Sequence, residues 1–168
     1  MKALIFIHVI LSLIGIFSGM IVLIGMLIGK HLNRETLLFL GSTLATSVTG
    51  FCFLPFDGFT RAQAFGVLSS ILLALAIYGR YARHLEGGWR KVYVITAIAA
   101  LYLNAFVGVV QAFRKIAFLK ALDPTQSAAP FFTVQAINFL LFVIAGFLAV
   151  RGFPGEARRP ATGELSFQ

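Results

Sequence analysis

The sequence predicts an all-α integral membrane bundle, and three observations predict it. Hydrophobic residues make up 59% of the 168 residues and mean hydropathy is +0.91. Soluble domains run at about 45–50% apolar residues, so this excess needs a nonaqueous solvent. Charged residues are 12% of the chain and fall in short segments between continuous apolar runs. Five such runs meet or approach the length of about 20 helical residues that a hydrocarbon core of about 30 Å requires.

The first run, 4–29, follows Met1 and Lys2. It is longer than the apolar part of a signal peptide and has no small-x-small cleavage site, so it is expected to be a retained span. The second and third runs are 36–54 and 63–78. The third is the shortest, and it either crosses with little tilt or forms a hairpin with the second. The fourth is 92–113 and the fifth 131–150. Between them, Ile116–Leu122 lies among basic residues and is expected to form a short helix in the interface. Asp123-Pro124 and Pro130 are turn and helix-start signals. The tail, 151–168, carries Pro, Gly and charge and is expected to be disordered. Strands are a poor alternative, because the runs are continuous and lipid tolerates no open sheet edge.

Orientation follows from Lys and Arg. The N-terminus, the 55–62 turn and the 114–129 loop hold five of them; the 30–35 turn, the 79–91 loop and the tail hold nine. The second set is expected in the cytoplasm, with the N-terminus outside. Tyr78, Tyr81, Trp89 and Tyr93 cluster at that inner boundary. The net charge of +8 thus fits cytoplasmic loops and headgroups, and nucleic acid is excluded as a partner. The partners expected are the lipid bilayer and, beyond it, other membrane proteins or further copies of the chain.

Two GxxxG stretches, Gly15–Gly19 and Gly25–Gly29, stand in the first run. Small residues let helix backbones approach closely in lipid. Gly15, Gly19, Gly25, Gly29 and, on the fourth run, Gly108 are therefore helix-packing candidates, mainly for contacts within the chain. Gly41, Ala45 and Thr49 form a similar small face on the second run.

No Asp, Glu, Lys or Arg lies inside any of the five runs. Proton relays and charge-coupled carriers place ionisable groups there, so their absence weakens both readings. Neutral polar residues and one histidine remain. Threading the runs by the orientation above brings His8, Ser12, Thr46, Thr49, Asn104, Gln111, Gln135 and Asn138 into the outer half. Asn104, Gly108 and Gln111 share one helix face. If the fourth and fifth spans pack antiparallel, Gln111 meets Gln135 and Asn104 meets Asn138. Such amides either bond helix to helix or line a pocket for a small neutral or amphipathic ligand.

Cofactor, metal and catalytic assignments find no support. Cys52 is the single cysteine, and His31 and His84 lie at the opposite end from His8, so no metal or haem ligand set exists. Ser12 and His8 stand at i, i+4, but no carboxylate is available to orient the pair.

Two phrases carry a resemblance. One is Thr46-Ser47-Val48-Thr49-Gly50-Phe51 with Phe56-Asp57-Gly58-Phe59-Thr60. The other is Leu101-Tyr102-Leu103-Asn104 with Val110-Gln111-Ala112-Phe113 and Pro124-Thr125-Gln126-Ser127. The chain resembles, from His8 to Phe131, a group of small multi-span bacterial inner-membrane proteins without an assigned activity. The resemblance implies a bacterial inner membrane and no chemistry. The sequence thus supports a noncatalytic binding or accessory component, with a carrier or channel for an uncharged solute as the alternative and a lipid- or quinone-handling enzyme as the third class.

Overall fold

A computed structural model of the chain describes residues 2–51 and 61–155. Most of the turn expected at 55–62, Cys52 and the tail beyond 155 lie outside the described residues. Within them the chain is helical. It comprises α1 (Lys2–Leu27), α2 (Asn33–Phe51), α3 (Arg61–Ile77) continued by a π-helical turn (Tyr78–Ala82), α4 (Trp89–Lys115), the short α5 (Ala117–Leu122) and α6 (Ala129–Gly152).

Four of these are long and apolar enough to cross a membrane: Ala3–Leu27, Gln63–Ala82, Trp89–Lys115 and Ala129–Gly152. The protein is thus a membrane-embedded helical bundle. α2 falls short by composition, because its first turn carries Arg34 and Glu35 and its remainder six serines and threonines. Leucine, isoleucine and phenylalanine side chains such as Phe6, Phe17, Leu141 and Phe147 are more than half exposed or close to it, as lipid-facing residues are.

The helices pack as a ring in chain order, α1 on α2, α2 on α3, α3 on α4 and α4 back on α1, with α6 laid against α4 and α1 outside the ring. One core runs along the bundle axis. Met26, Phe39, Leu40, Leu73, Tyr93, Val94 and Leu101 are its fully buried large side chains.

Small residues set the closest approaches. A Cβ built on Gly19 would lie 2.5 Å from Leu101 Cδ1 and 2.8 Å from the Phe39 ring; one on Gly15 would lie 2.7 Å from Thr43 Oγ1. Gly108 meets Ile16 of α1 in the same way, at 3.3 Å. α1 can sit between α2 and α4 because these positions carry no side chain. The second GxxxG stretch departs from expectation. Gly25 faces Leu32 and the Lys30 carbonyl, while Gly29 adopts φ +70° and ends α1 in the left-handed conformation that favours glycine. That pair shapes the α1–α2 turn rather than a helix–helix face. Gly41 has no atom of a neighbouring element within 4 Å of a Cβ site among the described residues.

Side chains hold both ends of α6. Arg90 Nη1 donates to the carbonyls of Val150, at 2.9 Å, and of Phe153, holding the C-terminal end of α6 against the start of α4. Asp123 sits just before α6 and accepts from the backbone N–H groups of Ser127 (3.2 Å) and Ala128 (2.9 Å). Burial pushes its carboxyl up, the largest single influence. The N–H groups of Ala128, Ser127, Gln126 and Phe131 together outweigh it, and the carboxyl ends below its ordinary value. A depressed carboxylate stabilises the fold above the unfolded-state value and loses that contribution as pH falls through the folded one. Asp123→Asn should lower the melting temperature at neutral pH and flatten its acid dependence below the ordinary carboxylate range. Thermal unfolding in detergent across pH measures both effects.

Candidate functional site

The polar residues of α1–α4 gather at the end of the bundle that holds the start of α1. Three helices supply hydroxyls there and α4 supplies an amide. α2 contributes most, and its hydroxyls are largely turned on its own backbone: Thr46 donates to the Ser42 carbonyl (2.8 Å), Ser47 to that of Thr43 (3.1 Å) and Thr49 to that of Ala45 (2.7 Å). Such back-bonding satisfies the hydroxyl proton inside the helix and leaves oxygen lone pairs to face outward.

Those lone pairs take partners on neighbouring helices. His8 Nδ1 lies 3.0 Å from Thr49 Oγ1. Because the Thr49 proton is committed to Ala45, the imidazole is the donor. Ser12 Oγ donates to Asn104 Oδ1 at 2.8 Å, and Asn104 Nδ2 returns a bond to the Ser12 carbonyl at 3.3 Å. Ser47 Oγ reaches Ser69 Oγ on α3 at 3.4 Å. Gly15 lies directly beneath, where a Cβ would press on Thr43, Asn104 and Ser42.

These groups surround a cavity of about 290 Å³. Its polar wall is His8, Ser12, Thr43, Thr46, Ser69 and Asn104; its apolar wall includes Phe51, Phe65, Leu103 and Val107. Gln111, exposed, stands at its rim. Thr43 is almost fully buried, and its Oγ1 has no hydrogen-bond partner among the described residues. Toward the other end of the bundle the cavity is closed where Phe39 and Leu101 meet over Gly19.

Of the eight candidates read from the sequence, His8, Ser12, Thr46, Asn104 and Gln111 line this cavity, and Thr49 holds His8 from behind. Gln135 and Asn138 do not join them. Gln135 Nε2 donates to the Phe106 carbonyl at 3.1 Å, and Gln135 Oε1 and Asn138 Nδ2 are buried without partners. The expected pairs Gln111–Gln135 and Asn104–Asn138 therefore do not form. α4 is flanked on both sides, and its amide face turns to α1 and α3 while α6 packs on its other flank.

Ser12 and His8 aim at different partners, Asn104 and Thr49, and do not form a nucleophile–base pair. Among the described residues no three His, Cys, Asp or Glu side chains come together as a metal site.

The eight candidates leave out Thr43, Ser47 and Ser69 of the cavity wall, and the sequence reading also missed Arg80. The second membrane-length helix extends to Ala82 and includes Arg80, which is 4% exposed, so this helix does carry a buried charge. A signal was present. Ser69, Leu73 and Ala76 are the buried face of α3, and Arg80 follows at the next helical repeat. Ending the span at Tyr78, before Gly79, hid that repeat.

A second, apolar groove of about 430 Å³ runs between α4 and α6, lined by Ile98, Tyr102, Phe139, Phe142, Val143 and Phe147 among others. No protein-family model, curated protein or solved structure matches the chain.

Proposed function

We propose that this chain is a noncatalytic membrane protein whose cavity between α1, α2, α3 and α4 binds a small, uncharged, amphipathic molecule. The observation that carries the reading is the lining itself. Hydroxyls, the Asn104 amide and the His8 imidazole cover one wall, two phenylalanines and aliphatic side chains cover the other, and among the described residues neither Asp, Glu, Lys nor Arg lines the cavity. A lining without charge favours a ligand without charge, because an ion would lose its hydration for no counter-charge. The unpartnered Thr43 hydroxyl offers a directional contact at the floor.

Five crossings fit this reading. α2, although too polar by composition, runs through the bundle beside α1 and turns its hydroxyls inward. The excess of Lys and Arg at the ends joined by the 30–35 and 79–91 segments supports a cytoplasmic location for those ends. The cavity then opens toward the outer leaflet half of a bacterial inner membrane. Transport is less well supported, because Phe39, Leu40, Leu73, Val94, Ala97 and Leu101 fill the bundle below the cavity. Self-association through Gly15 and Gly19 is also disfavoured, since both already face α2 and α4.

Thr46→Phe places a ring in the cavity. Native mass spectrometry of protein extracted in mild detergent should show a small neutral adduct on the wild type and its loss in this variant. A wild type without any adduct, or an adduct equally retained by Thr46→Phe, contradicts the assignment.

A further inference from the structure

We propose that Arg80 is the core of a phosphate-binding site at the end of the bundle opposite the cavity. The guanidinium is 4% exposed, and Nη1 is buried without a hydrogen-bond partner among the described residues. No carboxylate among the described residues pairs with it. A buried acid, lysine or histidine can shed its charge by exchanging a proton; arginine cannot, so its charge persists and requires an anion.

The rest of the side chain is already positioned. Nη2 donates to Asn33 Oδ1 of α2. The Cζ atom lies 5.2 Å from the centroid of the fully buried Tyr93 ring and 5.9 Å from that of Tyr81. The Tyr93 hydroxyl also engages the side chain, the Nη1 edge has no partner among the described residues, and a planar fork with a free edge suits phosphate oxygens. The π-helical turn Tyr78–Ala82 carries Arg80 at the end of α3, and Gly79 lets the Trp89 backbone come within 3.3 Å of its Cβ site. π-turns of this kind re-aim single side chains.

Position selects the anion. Arg80 stands two residues from the end of a membrane-length helix, beside Tyr78 and Trp89, whose rings pack edge to face at 5.0 Å. Aromatic side chains at a helix end mark headgroup depth, where phosphates are the abundant oxyanions. Tyr81, 45% exposed, is the side chain over the guanidinium that can swing aside to admit one. The shared chemistry is a phosphate oxyanion, carried by an anionic lipid or free in solution.

The test uses the full chain in mild detergent, with thermal stability followed as phosphatidylglycerol or inorganic phosphate is added. The wild type should melt higher with phosphate, and the half-saturating concentration should rise at least tenfold in Arg80→Gln. Asn33→Asp supplies an internal counter-charge to the same guanidinium. It should melt higher than the wild type without ligand and no longer respond to phosphate. A response to phosphatidylglycerol alone assigns the site to a lipid headgroup; an equal response to inorganic phosphate assigns it to the free ion. No response in the wild type, or a response unchanged in Asn33→Asp, overturns the proposal even if Arg80→Gln fails to fold.

Discussion

Gly19→Leu should be the most damaging single substitution in the bundle. The first atom of the new side chain alone would fall 2.5 Å from Leu101 and 2.8 Å from Phe39, and three further carbons must follow it. Both neighbours are fully buried core residues, so no shift of theirs opens room for a whole leucine side chain. Overpacking a filled core costs about 1–3 kcal/mol, and a branched side chain forced between two helices lies at the upper end of that range. Gly19→Ala should cost less, because Leu101 can turn its terminal methyl. The expected order of melting temperature in detergent is wild type, then Gly19→Ala, then Gly19→Leu. By contrast Gly41→Leu, on the same scale of change, should be nearly neutral, since nothing stands within 4 Å of that position.

The second large effect is expected at Asn104. Its amide is the only side chain from α4 that bonds in both directions with α1 among the described residues, through the Ser12 hydroxyl and the Ser12 carbonyl. Interhelical bonds of this kind in membranes contribute about 0.6 kcal/mol each on average and about 1.7 at most. Asn104→Leu removes both bonds and fills the cavity floor, so a loss of about 1–2 kcal/mol is expected together with loss of any bound molecule. Ser12→Ala should cost less, because the Asn104 amide keeps the carbonyl. The two substitutions together should cost less than their sum, and a double-mutant cycle in detergent measures the difference.

The sequence made helix identity legible, but not direction around each helix. Apolar run length located α1, α4 and α6 to within about three residues, the uncertainty expected of helix ends. Threading the runs brought His8, Ser12, Thr49 and Asn104 into one half of the bundle; the bonds His8–Thr49 and Ser12–Asn104 emerge only in the structure. Which neighbour α4 shows its amides to is set by packing around the ring, and α4 touches α1, α3 and α6. The α6 run is apolar on nearly all sides, so nothing in it fixes which of its faces meets α4. Asn104 was therefore assigned the wrong partner, and Gln135 turned out to reach a backbone carbonyl instead. Arg80 was missed for a different reason. Glycine followed by arginine reads as a loop, yet the chain makes one π-turn more and carries the charge inside.

All of this rests on α4 crossing the bilayer from one face to the other. In a Cys52→Ser background, single cysteines in place of Glu86, before α4, and Ala121, after it, report that crossing directly. A membrane-impermeant maleimide applied to intact cells should label the Ala121→Cys protein at once and the Glu86→Cys protein only after permeabilisation. Labelling of both positions from the same side would remove α4 from the membrane, and with it the cavity and the depth of Arg80.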